Sequence, residues 1–245
     1  MRPGNPNHNW RDTVFGSSSD DTAEQIGRSY PSQRRIGTIC VFGGAMLGND
    51  PDHARCATIL GEAIAAAGIR LVYGGGCDGL MGQVAIAAAQ AGGTVVAITP
   101  QFLVERMRML SSGCQTISVP DMSIRKQLMF EYADAFVALP GGIGTVEELT
   151  EVMRLRKLGR HCKPLVLANF KGFWSPLLGV FDSMSEAGFM NSSTRCTQMV
   201  SATPEAILPL LQRSVSFDHN EPQRPVLLPT IPVLRRSHVS SAGPG

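Results

Sequence analysis

The stretch Phe136-Val137-Ala138-Leu139-Pro140-Gly141-Gly142-Ile143-Gly144-Thr145-Val146-Glu147-Glu148-Leu149 reads as a strand, a glycine loop and a helix in direct succession. Its first four residues are all apolar, as in a strand covered on both faces; Pro140 stops the ladder, and a helical period sets in from Thr145. A strand buried on both sides and followed at once by a helix belongs to a parallel sheet wrapped by helices. Working outward, strand-like runs at 36–42, 69–73, 94–98, 116–119, 135–139, 164–168 and 198–201 alternate with helical patterns at 51–67, 80–91, 123–132, 145–158, 176–187 and 204–212. Gly68, Gly92 and Gly159 fall just past three helix ends, where a left-handed residue closes the last turn. The expectation is one α/β domain over 35–216, preceded by a polar tail at 1–34 and followed by a Pro-rich tail at 217–245.

The 245 residues are 43% hydrophobic, enough for the core of one such domain. Twenty-two Lys and Arg against 20 Asp and Glu leave a net charge of +2, and only 17% of residues are charged, which disfavours a nucleic-acid partner. No apolar run approaches the roughly 20 residues of a membrane-spanning helix. The first thirty residues lack the apolar segment of a secretory signal, so the expected setting is the cytoplasm, with no membrane partner. Cys40, Cys56, Cys77, Cys114, Cys162 and Cys196 are widely spaced, with no C-x-x-C pair and no His cluster. They read as reduced thiols, and no metal site is expected.

Ligands of an open parallel sheet bind beyond the carboxyl ends of its strands, so the loops there carry the functional reading. In the 136–149 stretch, Gly141, Gly142 and Gly144 free backbone N–H groups just before Thr145 opens a helix, a nest suited to phosphate. The loop lacks the Lys-Ser/Thr of a Walker motif, so it binds a phosphate without the means to energise an NTP. Glu148 has two readings. Thr145-Val146-Glu147-Glu148 matches the capping box S/T-x-x-E, and the same carboxylate would stand close to a sugar bound beside the nest.

A second glycine loop, Gly74-Gly75-Gly76-Cys77-Asp78-Gly79-Leu80-Met81-Gly82, formally satisfies G-x-G-x-x-G between a strand and a helix. No acidic residue follows at the distance a dinucleotide ribose requires, so no nicotinamide cofactor is expected. Gly75 and Gly76 then mark a close backbone approach either to an anionic ligand or to a neighbouring element. In Asp121-Met122-Ser123-Ile124-Arg125-Lys126 two cations stand near a helix start, against the macrodipole, which calls for an anion or a partner carboxylate there unless they are simply solvated.

Together, Met122-x-x-Arg125-Lys126, Pro140-Gly141-Gly142-x-Gly144-Thr145-x-x-Glu148 and the 74–82 glycine loop closely resemble the Lonely Guy family of cytokinin riboside 5'-monophosphate phosphoribohydrolases, often labelled lysine decarboxylases. The resemblance spans roughly 36–212. It implies a Rossmann-like doubly wound parallel sheet with helices on both faces, assembled as a homodimer. It also implies hydrolysis of the N-glycosidic bond of a nucleoside 5'-monophosphate, with no cofactor. By position, Arg125 and Glu148 fall on the catalytic pair. The substrate-binding set is Gly141, Gly142, Gly144, Thr145, Lys126, Met122, Gly75 and Gly76. Three segments depart from the family pattern: Ser123 stands for a His, Gly43-Gly44-Ala45-Met46 for C-G-S-S, and 153–159 for T-W-x-Q-L-G. The alternative on the same fold is a non-catalytic nucleotide or molybdenum-cofactor carrier. A pyridoxal-phosphate decarboxylase would need a Schiff-base lysine with a pyridinium partner, and no such pairing is visible.

Overall fold

The computed structural model describes residues 35–110, 112–190 and 198–217. Seven strands, β1 (Thr38–Phe42), β2 (Arg70–Tyr73), β3 (Val95–Pro100), β4 (Cys114–Val119), β5 (Ala135–Ala138), β6 (Leu165–Ala168) and β7 (Gln198–Ser201), form one sheet. All are parallel, in the order β4-β3-β2-β1-β5-β6-β7. Between and after them run α1 (Pro51–Ala66), α2 (Gly79–Gln90), α3 (Gln101–Val104), α4 (Met122–Tyr132), α5 (Ile143–Lys157), a 3₁₀ turn (Phe170–Gly172), α6 (Ser175–Glu186) and α7 (Ile207–Phe217).

The sheet is doubly wound because its inner strands are apolar apart from Thr38, Arg70 and Thr99. Ile39 and Val41 of β1 join a core with Leu60 and Ile64 of α1, Val84 and Ala88 of α2, and Leu211 of α7. Cys40 and Phe42, on the opposite face, join Met129 of α4, Leu149 and Val152 of α5, and Phe181 of α6. Successive strand residues point to opposite faces, so an all-apolar strand needs cover on both.

Strand and helix positions follow the sequence reading, with five corrections. β1 begins at Thr38 rather than 36. The edge strand β4 begins at Cys114, two residues early, and Gln115 and Thr116 are exposed, so it lacks the all-apolar signal of the inner strands. β3 runs on through Thr99 and Pro100, paired with Ser118 and Val119, and leads into the unforeseen short α3. Helix α5 starts at Ile143 rather than Thr145. Helix α7 starts at Ile207 rather than 204 and runs through Phe217, so the boundary drawn at 217 falls on a helical residue. Gly68, Gly92 and Gly159 have φ of 66°, 77° and 66°, the left-handed closures expected. The segments 1–34 and 218–245, and Cys196, lie outside the described residues.

Candidate active site

The strand order reverses between β1 and β5, and the loops leaving these two neighbours diverge to opposite faces, opening a crevice at their carboxyl ends. The loops are joined at its floor. Gly44 N–H donates to the Pro140 carbonyl at 2.9 Å, and the Gly44 carbonyl accepts from Leu80 N–H (2.9 Å) and Met81 N–H (3.3 Å) of α2. A Cβ on Gly141 would lie 2.2 Å from Thr145 Oγ1 and 2.8 Å from Gly44 N, so only glycine allows this approach.

Above the floor is a cavity of about 420 Å³, within the range of small-molecule sites. One wall is the start of α5. Gly142 caps the helix with extended backbone, and the N–H groups of Ile143, Gly144 and Thr145 have no partner within the helix. A Cβ on Gly142 or Gly144 would meet nothing within 4 Å, so the space over these amides is open. The positive end of the helix dipole faces it.

Thr145 is the third residue of α5 and Glu148 the sixth, which corrects the capping-box reading: the cap is the backbone of Gly142. Glu148 turns instead to Arg125, whose Nη2 donates to Oε1 at 3.2 Å, and the two side chains are 10% and 9% exposed. Arg125 is set by α4, where Asp121 Oδ1 accepts from Ile124 N–H at 2.9 Å. Its Nη1 lies 3.6 Å from Met122 Sδ, and its buried Nε has no hydrogen-bond partner. Burial pushes the Glu148 carboxyl from its ordinary 4.5 up to about 7, with the Arg125 guanidinium opposing the rise. Lys126 is tied to Glu147 at 2.8 Å and Glu151 at 2.9 Å. Both cations at the start of α4 therefore answer carboxylates of α5.

Arg125, Lys126, Met122, Gly141, Gly142, Gly144, Thr145 and Glu148 all line this cavity. Gly75 and Gly76 do not. A Cβ there would strike Thr99 Oγ1 at 1.9 Å and the Met107 methyl at 2.5 Å, so both glycines accommodate neighbouring elements. Gly74 serves the site from behind: its Cβ would fall 1.9 Å from Arg125 Nη2. The sequence reading missed His53 of α1 and Phe173 after the 3₁₀ turn, which line the cavity with ring centroids 5.8 Å apart at 83°. His53 stands three residues past Asp50, the cap of α1, and its position in the first helix after β1 was the available signal.

Ser123 and Leu155, in two of the departing segments, line a second cavity of about 250 Å³. It shares Lys126 and Glu148 with the first and is walled by Phe42, Phe130, Phe136 and Val152. Among the described residues, no group of three or more His, Cys, Asp or Glu could hold a metal ion. Likewise, no described helix is long and apolar enough to cross a membrane.

Residues 81–211 match the family described as "possible lysine decarboxylase". The chain is 40% identical over 187 residues to a probable cytokinin riboside 5'-monophosphate phosphoribohydrolase of Oryza sativa subsp. japonica, covering 76% of this chain and 82% of that protein. It is 42% identical over 164 residues to the cytokinin riboside 5'-monophosphate phosphoribohydrolase of Rhodococcoides fascians, covering 66% and 83%. The corresponding Arabidopsis thaliana enzyme is 37% identical over 182 residues, covering 74% and 84%. Among solved structures, the molybdenum cofactor carrier protein of Chlamydomonas reinhardtii superposes with a TM-score of 0.57 at 22% identity, covering 74% of this chain and 99% of that one. That likeness is one of fold.

Proposed function

The chain belongs to the Lonely Guy family of cytokinin riboside 5'-monophosphate phosphoribohydrolases, and on that premise we propose that it hydrolyses the N-glycosidic bond of a nucleoside 5'-monophosphate. The substrate is a cytokinin riboside 5'-monophosphate or AMP, and the products are the free base and ribose 5-phosphate. The observation that carries this reading is the buried Arg125–Glu148 pair, whose glutamate stands on the same helix as an open anion nest while the arginine reaches it from α4. From Gly144 to Glu148 the helix rises about 6 Å, the scale of a ribose bridging a 5'-phosphate and C1'.

The phosphate docks on the amides of 142–145, and the ribose crosses toward Glu148. As the bond to the base breaks, its electron pair leaves with the base and C1' takes on oxocarbenium character. The Glu148 carboxylate stabilises that cation and takes a proton from the water whose oxygen bonds C1', and a proton is delivered to the departing base nitrogen, so that water is divided between ribose 5-phosphate and free base. Arg125 favours the ionised carboxylate that burial disfavours. The second cavity, which shares Glu148 with the first and carries Phe42, Phe130, Phe136 and Val152 beside polar side chains, offers room for an N6 substituent on the base. The working unit is a cytoplasmic homodimer; Ile143 and Met46, 86% and 82% exposed at the rim, supply apolar surface that a second copy would cover.

Binding energy from the phosphate is spent at the distant bond, so adenosine should be a far poorer substrate than AMP in kcat/KM. Comparable values for the two would remove the nest from the reading.

A further inference from the structure

We infer that Lys171 is a positioning residue for the nucleotide cavity: it clasps Asp50 and Asp52 and so holds Phe173, after β6, against His53 of α1. The inference rests on the cavity being the nucleotide site. His53 and Phe173 form one wall of that cavity and come from elements on non-adjacent strands, with β5 between β1 and β6.

Each ring is anchored to its own element. Phe173 lies between Phe170 and Trp174, both only 2% exposed. Trp174 N–H donates to Asn169 Oδ1 at 2.6 Å, and its indole N–H reaches the Ala138 carbonyl at 3.2 Å. These bonds fix the turn on the sheet, but none of them sets its distance from α1. Lys171 does. Its Nζ stands 2.7 Å from Asp50 Oδ2 and 2.6 Å from Asp52 Oδ2. Asp50 uses its other oxygen to accept from Asp52 N–H at 2.9 Å, so capping and clasping do not compete.

The backbone points the same way. Lys171 has φ 51°, and among the described residues no other non-glycine has a positive φ. A lysine gains nothing locally from this conformation, which glycine or asparagine adopts more readily. It persists where surrounding contacts over-determine it; the turn's bonds from Gly172 N–H to the Asn169 carbonyl and from Phe173 N–H to the Phe170 carbonyl, both 3.1 Å, and the two carboxylates are such contacts. Both carboxyls are held below the usual range by their hydrogen bonds to Lys171.

The test uses the full-length chain and four proteins: wild type, Lys171→Gly, Lys171→Arg and Phe173→Ala, with the Lys171→Gly/Phe173→Ala double variant as the cycle. Glycine relieves the left-handed backbone while removing the clasp, so its Tm should equal or exceed the wild-type value. AMP Kd by calorimetry and KM for hydrolysis should both rise about five- to tenfold, the scale of one aromatic contact, with kcat within about twofold. Lys171→Arg should recover most of the affinity. Phe173→Ala should raise Kd similarly, and the double variant should add little to it, because the two changes remove one wall. A Lys171→Gly protein with wild-type AMP affinity, or effects that simply add in the double variant, would overturn the positioning role while leaving the phosphoribohydrolase reading intact. A wild-type protein that binds neither AMP nor N6-isopentenyladenosine 5'-monophosphate overturns both.

Discussion

Replacing Glu148 by glutamine separates what the carboxylate costs the fold from what it gives the reaction. Burial holds this acid at about 7 instead of 4.5. At about 1.4 kcal/mol per tenfold in an ionisation constant, that displacement amounts to roughly 3 kcal/mol against the ionised form. The folded chain therefore keeps a proton that the unfolded chain gives up between pH 4.5 and 7, and stability falls as pH rises through that window. Glutamine stays neutral and still offers Arg125 an oxygen acceptor. Loss of the counter-charge to Arg125 offsets part of the benefit. The Glu148→Gln protein should match wild type near pH 4.5 and exceed it at pH 8 by about 1–3 kcal/mol, several degrees in Tm for a domain of this size. Turnover should fall by about 10²- to 10⁴-fold, because glutamine can neither stabilise a developing cation by charge nor take a proton from water. Melting curves at the two pH values and base release from AMP provide the readout. A Gln variant that binds AMP and turns over near the wild-type rate would refute the catalytic role, and one that melts lower than wild type at pH 8 would refute the account of its burial.

Wild-type kcat/KM should rise with pH through an inflection near 7 as Glu148 ionises; Arg125→Ala removes the opposing cation and should both cut activity and move that inflection upward, read from a pH–rate profile. Gly74→Ala places a methyl group where Arg125 Nη2 now lies, so turnover should drop at least about tenfold, with the far-ultraviolet circular dichroism of the fold retained; unchanged turnover would mean that the guanidinium has another productive position.

The inner strands were legible because a strand covered on both faces must be apolar throughout, as Phe136, Val137 and Ala138 are. The edge strand β4 was less so, since Gln115 and Thr116 face solvent and break that pattern. The start of α5 was misread for a related reason: Ile143 is 86% exposed and Gly144 has no side chain, so the first turn carries no apolar period and Thr145 resembles a cap. Arg125 and Lys126 announced that carboxylates or an anion stood opposite them, but charge alone does not tell which glutamate meets which cation. Helix geometry does, pairing Arg125 with Glu148 and Lys126 with Glu147 and Glu151. The glycines at 74–76 were ambiguous because a ligand and a neighbouring side chain exclude a Cβ equally well. Their neighbours are Arg125, Thr99 and Met107. His53 and Phe173 meet only through the order of β1, β5 and β6, which no single stretch of sequence encodes.

The role proposed for the Arg125–Glu148 pair is cleavage of the glycosidic bond of a nucleotide held by the amides of 142–145. The most direct measurement is a single incubation of the protein with AMP and with N6-isopentenyladenosine 5'-monophosphate, quantifying free base and ribose 5-phosphate together. Equimolar release of both products from at least one of the two nucleotides is the predicted result; nucleotide that is bound and recovered unaltered in both cases would make the chain a carrier and contradict the account.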